Sequence, residues 1–332
     1  MTAASPRYVS LYHSGELERR AKLLEARLER CDICPRQCRL NRLEGERGFC
    51  HSGYLPVVSA ACAHFGEEPV ISGSRGSGTV FFGNCNMRCV YCQNHQISQD
   101  WERQESRTVS FQELAGRMLR LQDELGCHNI NLVSPSHFVP QIVRALLYAV
   151  PMGLRLPLVY NSNGYDSLAT LKSLDGIIDI YLPDLRYASD GPAVELSGAP
   201  GYVDAAREAV REMYRQVGNI VLDREGAARR GLIVRHLILP GGLAGTAQTL
   251  DWLAKELSRG LSVSIMSQYY PAHRAREHGL SRQITAEEYA DAVRALHKAG
   301  IETAWVQGMG SPEVYLPDFE REESPFVAAG EG

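Results

Sequence analysis

G-T-V-F-F-G-N-C-N-M-R-C-V-Y-C-Q-N, residues 78 to 94, decides how the rest of the chain is read. Gly78 to Gly83 is a short apolar run closed by glycine at both ends, the pattern of a buried strand. Cys85, Cys89 and Cys92 follow at once with the spacing C-x3-C-x2-C. Thiolates hold iron–sulfur clusters, and a [4Fe–4S] cube normally takes four of them. Three on one loop leave one iron open to another ligand, which a catalytic cluster needs and an electron carrier does not. The competing readings are a zinc ion completed by a residue such as His95, or three unrelated buried thiols. Zinc sites usually pair their cysteines as C-x2-4-C, and unrelated core cysteines seldom crowd eight residues, so the cluster is favoured.

Outward from this loop the chain alternates. Apolar runs at 129–134, 156–161, 177–182, 232–239, 261–268 and 302–307 read as buried strands. Helical patterns lie between them, near 110–125, 138–149, 165–174, 203–217, 246–259 and 285–299. Ser110 with Glu113 and Thr285 with Glu288 form capping-box signatures, and Gly126, Gly260 and Gly300 stand where helices stop. Continuous apolar strands separated by helices predict a parallel sheet with helices outside it. The fold class is therefore α/β, a partial or complete (β/α) barrel of parallel strands, with a doubly wound open sheet as the competitor. In either, chemistry belongs at the C-terminal ends of the strands.

Ahead of the barrel, residues 14–30 read as a helix capped by Ser14, with Leu17, Ala21, Leu24 and Leu28 on one stripe. Cys31 to about Pro69 reads as an irregular, cysteine-rich and loop-rich N-terminal extension. The expected organisation is a helix and four-cysteine metal-binding segment over 1–69, the barrel over 70–308, and a loop-like tail over 309–332.

The 332 residues carry 44% hydrophobic and 22% charged side chains with a net charge of −4. No global basic field points to nucleic acid or an anionic membrane. No apolar run reaches the roughly 18–20 residues of a membrane span. The opening M-T-A-A-S-P-R-Y lacks the charged and apolar regions of a signal peptide, so the cytoplasm is the expected compartment. Nine cysteines in a reducing compartment point to metal or redox chemistry rather than disulfides.

The C-x3-C-x2-C spacing, with Tyr91 just before its last cysteine, resembles the signature of the radical S-adenosylmethionine superfamily. The wider run 78–94 looks like the pyruvate formate-lyase activating enzyme branch. H-F-G-E-E-P-V-I-S-G from His64, N-I-N-L-V-S-P-S-H-F from Asn129 and R-G-L-I-V-R-H-L-I-L-P from Arg230 resemble its activase-related relatives. The resemblance implies a [4Fe–4S] cluster on Cys85, Cys89 and Cys92 whose free iron chelates S-adenosylmethionine. One electron then cleaves the sulfonium, and a 5′-deoxyadenosyl radical abstracts hydrogen from a protein, peptide or small molecule. It implies a reduced flavodoxin- or ferredoxin-type electron donor as partner.

Cofactor-contacting candidates lie at strand ends. Arg235, mid-strand in L-I-V-R-H-L-I-L, is either an outward arginine or a carboxylate clamp, and a comparable V-R segment in activating enzymes favours the clamp. Asn131, Ser134 and Ser136 end the second strand, where the family has a G-G-E segment and this chain has S-P-S. Asn161, Ser162 and Asn163 suit ribose or carboxylate contacts, or simply a turn before Gly164. Asp184-Leu185-Arg186 resembles the family's D-L-K segment, with arginine for lysine. Gln268 and Tyr269 stand near its P-Y-H segment, with His273 close by. The orientation of Asp179 is left open, and His137 is read as a helix-start residue.

A second set, Cys31, Cys34, Cys38 and Cys50, is too clustered for core filling and fits a four-thiolate zinc site or an auxiliary iron–sulfur cluster. Cys62 is a substitute ligand and Cys127 a core residue. Two other functions compete: radical modification of a small molecule or RNA base, and a non-catalytic electron-transfer or scaffold protein.

Overall fold

The computed structural model describes residues 5–310, 317–319, 321 and 324–326. Its nine strands are β1 (Val58–His64), β2 (Ser77–Phe82), β3 (Ile130–Val133), β4 (Leu158–Ser162), β5 (Ile180–Pro183), β6 (Val221–Leu222), β7 (Ala228–Leu237), β8 (Ser262–Met266) and β9 (Thr303–Val306). They form one sheet ordered β1-β2-β3-β4-β5-β7-β8-β9, with β6 hairpinned onto β7. All neighbours from β2 to β9 along this path pair in parallel; β1 runs antiparallel to β2 at one edge.

Side chains alternate across each strand, and here the two faces have separate jobs. Val80, Phe82, Leu132, Tyr160, Tyr181, Val234 and Ile265 face the helices and join the main core with Met118, Leu146, Met213 and Leu250. The other face carries Val159, Ile180, Leu182 and Ile233, which cluster with Ile71. With the long helices on one face, the sheet is consistent with a partial barrel; among the described residues β1 and β9 do not pair. Among the described residues the barrel is partial rather than complete.

The long helices lie where the apolar stripes predict them: Phe111–Asp123, Val139–Ala149, Tyr202–Val217, Thr246–Glu256 and Ala286–Ala299. Both capping boxes are formed, by Ser110 with Glu113 and by Thr285 with Glu288. Gly300 is the left-handed cap of the last helix (φ +68°). Gly260 is not a cap: its helix ends at Glu256 with Leu257 following.

Two expectations fail at the N-terminus. Instead of one helix over 14–30 there are two, Arg7–His13 and Glu16–Ala26, broken at Gly15 (φ +76°); Ser14 ends the first rather than capping the second. The segment from Cys31 to Pro69 is not wholly irregular, because it contains β1. Its sequence V-S-A-A-C-A-H has small side chains and weak alternation, so pairing with β2 rather than propensity makes it a strand. The sheet therefore crosses the expected boundary at residue 69. Of the tail, Phe319 and Phe326 pack against Phe81, and Phe326 stacks on His64; most of 311–332 lies outside the described residues. Among the described residues no helix is long and apolar enough to cross a membrane.

His236 shows what outward burial does to a titrating group. Its Nδ1–H donates to the Leu185 carbonyl at 2.7 Å, and its Nε2 lies 2.9 Å from Thr246 Oγ1. Burial pulls its pKa from 6.5 down to about 4. The unfolded chain binds this proton more readily, so stability is lost as pH falls below 6.5 and levels off near 4. Urea unfolding at pH 7 and pH 4 should show the wild type losing about 3 kcal/mol more than His236→Gln. Equal losses would remove His236 as the cause.

Candidate functional site

The cysteine loop leaves the C-terminal end of β2 and ends in the single helical turn His95–Ser98. Main-chain bonds pin it to the helix Asp190–Ser197, from Arg88 N to Ser197 O (3.0 Å) and from Val90 N to Leu196 O (2.8 Å). Every sulfur has a hydrogen-bond partner. Cys85 Sγ accepts from Met87 N and from Asn163 Nδ2, both at 3.4 Å. Cys89 Sγ accepts from Ser197 Oγ at 3.0 Å, and Cys92 Sγ lies 3.2 Å from Ser98 Oγ. Behind Ser197 stands Tyr187, and behind that Tyr91, each step 2.6 Å. The aromatic residue of the cysteine motif is thus one end of a hydroxyl chain whose other end donates to sulfur.

These thiols are costly to ionise alone. Burial and then the neighbouring Cys89 push Cys92 up to about 12, and the same two causes raise Cys85. Thiolates are obtained here only with a bound positive centre, which offsets both effects. Among the described residues no three His, Cys, Asp or Glu side chains converge as ligands of a single metal ion do. His95 turns its Nδ1 to the Cys92 carbonyl (3.1 Å) and stacks on His273.

Beneath the loop lies a cavity of about 640 Å³, lined by Gln93 and Asn94 from the loop, Asn161, Arg235 and Gln268 from the strands, and Glu67 and Glu68. The two glutamates follow β1 in sequence. The turn Pro69–Ser72 behind them puts Ile71 into the lower apolar cluster, so the segment enters the sheet's inner face as a plug. Arg235 points inward and sits at the centre of a buried network. Its Nε donates to Asp184 Oδ1 (2.9 Å), its Nη1 to Glu67 Oε2 (3.1 Å) and its Nη2 to Asn161 Oδ1 (2.6 Å). Asn131 Nδ2 donates to Glu67 Oε1 (2.9 Å), and Arg186 Nη2 to Asp184 Oδ2 (2.5 Å).

Burial raises the pKa of both Glu67 and Glu68, with Arg235 as the main opposing influence. Burial also works against the charge on Arg235, but Asp184, Glu68 and Glu67 together hold it above its ordinary range. Arg186 keeps one buried donor, Nε, without a partner, and the thiol of Cys89 lies within its electrostatic reach.

The remaining candidates divide. Asn163 serves the cysteine loop, donating to Cys85 Sγ and to Asn86 Oδ1 (2.8 Å). Gly164 after it has φ +78°, and a Cβ there would collide with the Asp184 carbonyl. Ser162 instead bonds the buried Asp166. Ser134 occupies a left-handed conformation (φ +57°), and Ser136 is buried beside it. Gln268 lines the cavity; its carbonyl accepts from Gln93 Nε2 (2.8 Å). Asp179 accepts from the Leu158 amide (3.0 Å), a structural task. His137 holds the Gly83 carbonyl at the start of the cysteine loop (3.0 Å). Cys31, Cys34, Cys38 and Cys50 line a separate cavity of their own. Sequence reasoning missed Glu67, Glu68 and Ser197 as site residues. Two adjacent acids before a proline carry no local mark of a buried site, and nothing local to Ser197 points at a sulfur.

No family model matches the chain. It is similar to Uncharacterized protein MJ0674 of Methanocaldococcus jannaschii, 28% identical over 294 residues, 86% of this chain and 80% of that protein. Uncharacterized protein MJ0808 of the same organism is 39% identical over 83 residues, 21% of this chain and 24% of that one. Among solved structures, Streptococcus suis SuiB, in a crystal structure with bound S-adenosylmethionine, aligns with a TM-score of 0.45 and 12% identity. A second SuiB structure aligns with a TM-score of 0.43 and 12% identity. In both, the alignment covers 73% of this chain and 52% of SuiB, so the chain spans about half of that protein's length.

Proposed function

We propose that the chain is a radical S-adenosylmethionine enzyme that abstracts hydrogen from a substrate held in the cavity below the cysteine loop. One observation carries the reading: three thiols on one short loop, each with a hydrogen-bond partner, above a polar cavity. Hydrogen bonds to sulfur stabilise thiolate charge and tune a cluster. The residues fit the cofactor too, since the orphaned Arg186 Nε is a buried donor suited to a carboxylate. When bound, a [4Fe–4S] cluster with one open iron supplies the electron that cleaves S-adenosylmethionine.

The chain's own residues do the rest. Ser197, Ser98 and Asn163 hold the sulfurs. Asp184 fixes Arg186 in position for an anionic group, and the Arg235 network keeps the cavity floor rigid. About 640 Å³ is the size of a small-molecule site. The hydrogen donor therefore enters as a small molecule or as one residue of a peptide, and an activase-like role would present a single backbone position there.

The test is anaerobic loading with iron and sulfide, reduction, addition of S-adenosylmethionine and assay for 5′-deoxyadenosine. Formation of that product is expected. An intact cluster that yields none would leave a scaffold or electron carrier instead.

A further inference from the structure

The polar groups around the cavity are unevenly matched. Arg235 directs its hydrogen bonds to Asp184, Glu67 and Asn161, and Arg186 directs its own to Asp184. Three carboxyls, on Glu67, Glu68 and Asp184, therefore share two guanidinium groups, and Glu68 is the one left over. Glu68 is 8% exposed and lines the cavity. The Ser264 hydroxyl lies beside it, but its Oε2 has no partner. A buried carboxyl oxygen in that state stays costly until a donor reaches it.

Other orphaned atoms have the same character. Nearer the cysteine loop, Gln307 donates to Gln268 Oε1 (3.2 Å) and leaves its own Oε1 without a partner. Behind Glu67, Asn131 gives its amide to that carboxyl and keeps Oδ1 unpartnered. Among the described residues, the orphaned buried side-chain atoms of the cavity lining are thus acceptors. A ligand suited to them brings several N–H groups, as ammonium does with three and guanidinium with five.

The electrostatic field favours the same ligand. Among the described residues lining the cavity, Arg235 is the sole permanent cation, against Glu67 and Glu68. His64 adds no charge near neutral pH, because burial and then Arg235 pull it down to about 4. Burial raises both glutamates, and a bound cation offsets that cost. Trp305 lines the same space, and an indole attracts a cation rather than an anion.

Glu68 comes in from the foot of the sheet with the segment that follows β1, at the end away from the sulfurs. S-adenosylmethionine chelated at the cluster would keep its own amino group at the loop, so the missing cation belongs to the other reactant. We infer that the substrate carries a positively charged nitrogen group, an ammonium or guanidinium, and seats it against Glu68. Anchored there, it presents its hydrogen-bearing carbon toward the cysteine loop. This names the substrate class of the function proposed above and rests on it, but binding of the cation is measurable without turnover.

Calorimetric titration tests it with two probes of matching shape, propylguanidinium and the neutral propylurea. The chain is titrated as purified, and again after loading with iron, sulfide and S-adenosylmethionine, without reduction. Propylguanidinium should bind about tenfold more tightly or better in both forms, the effect of a hydrogen-bonded charge. Glu68→Gln should cut that preference to within about twofold, and Glu68→Asp, which restores the carboxylate, should recover part of it. Tighter binding of N-acetyl-arginine methylamide than of propylguanidinium identifies a peptide side chain as the source, and the reverse order a free small molecule; both support the cation. Equal affinity for the two probes, preference for propylurea, or no binding of either below about 50 mM overturns it, whether or not the variants fold. A preference that survives Glu68→Gln overturns it as well. Displacement of propylguanidinium by S-adenosylmethionine assigns the acceptors to the cofactor's ammonium and overturns the substrate class. Wild-type protein that binds the cation yet makes no 5′-deoxyadenosine overturns the function proposed above and leaves the cation site standing.

Discussion

Cys89→Ala is expected to end 5′-deoxyadenosine formation, by about a thousandfold or more relative to wild type, equivalent to about 4 kcal/mol of lost barrier reduction. Among the three cysteines of the loop Cys89 is the least exposed residue, and its sulfur receives the hydroxyl chain from Tyr91 through Tyr187 and Ser197. Its neighbours Cys85 and Cys92 are held apart on the same loop, so neither can take its place. Ser197→Ala makes the matching milder variant. It leaves all three ligands and removes one donor to sulfur, so product formation should fall less than in Cys89→Ala, with a shifted cluster potential. Cys89→Ala protein that still cleaves S-adenosylmethionine at wild-type rate would sink the ligand assignment.

Arg235→Met should have the largest effect on stability. The substitution keeps much of the volume and removes the cation facing Glu67, Glu68 and Asp184, all less than a tenth exposed. Breaking a buried pair by removing one partner typically costs about 3–5 kcal/mol, because the remaining charge is stranded. Urea unfolding at neutral pH should show a loss of that order. Adding Glu67→Gln and Asp184→Asn to the variant should recover part of it, which a simple packing defect would not. A loss below about 1 kcal/mol would mean that the carboxyls are already protonated and that the network is not ionic.

The partial barrel was legible because strands such as β2, β4, β5 and β8 are buried on both faces and read as continuous apolar runs, and because two of its helices open with capping boxes. The cysteine loop was legible because clustered thiols have few other uses. Strand β1 was not, since Ala60, Ala61 and Ala63 carry no pattern and only the partner strand gives them a conformation. Arg235 could be placed on a strand but not on a face by chemistry alone. Parity settles it afterwards: Val234 and His236 face the helices, so Arg235 faces inward. The partners of Arg235 were beyond reach, as Glu67 is 168 residues away in sequence. Asn163 was read as a cofactor contact or a turn former, and the structure turns its amide to Cys85. Polar residues at strand ends announce a site without saying which task each performs.

The direction of one edge strand sets the chemistry of the whole chamber. Because β1 descends while its neighbours climb, the chain emerges from it at the foot of the sheet, opposite the sulfurs. Had that strand run the other way, its two glutamates would arrive beside the cysteines and add negative charge to a cluster that must accept an electron. The reversal brings Glu67 and Glu68 in from the end opposite the sulfurs, while the Asp184 carboxylate, just past the C-terminal end of β5, lies between the guanidinium groups of Arg186 and Arg235.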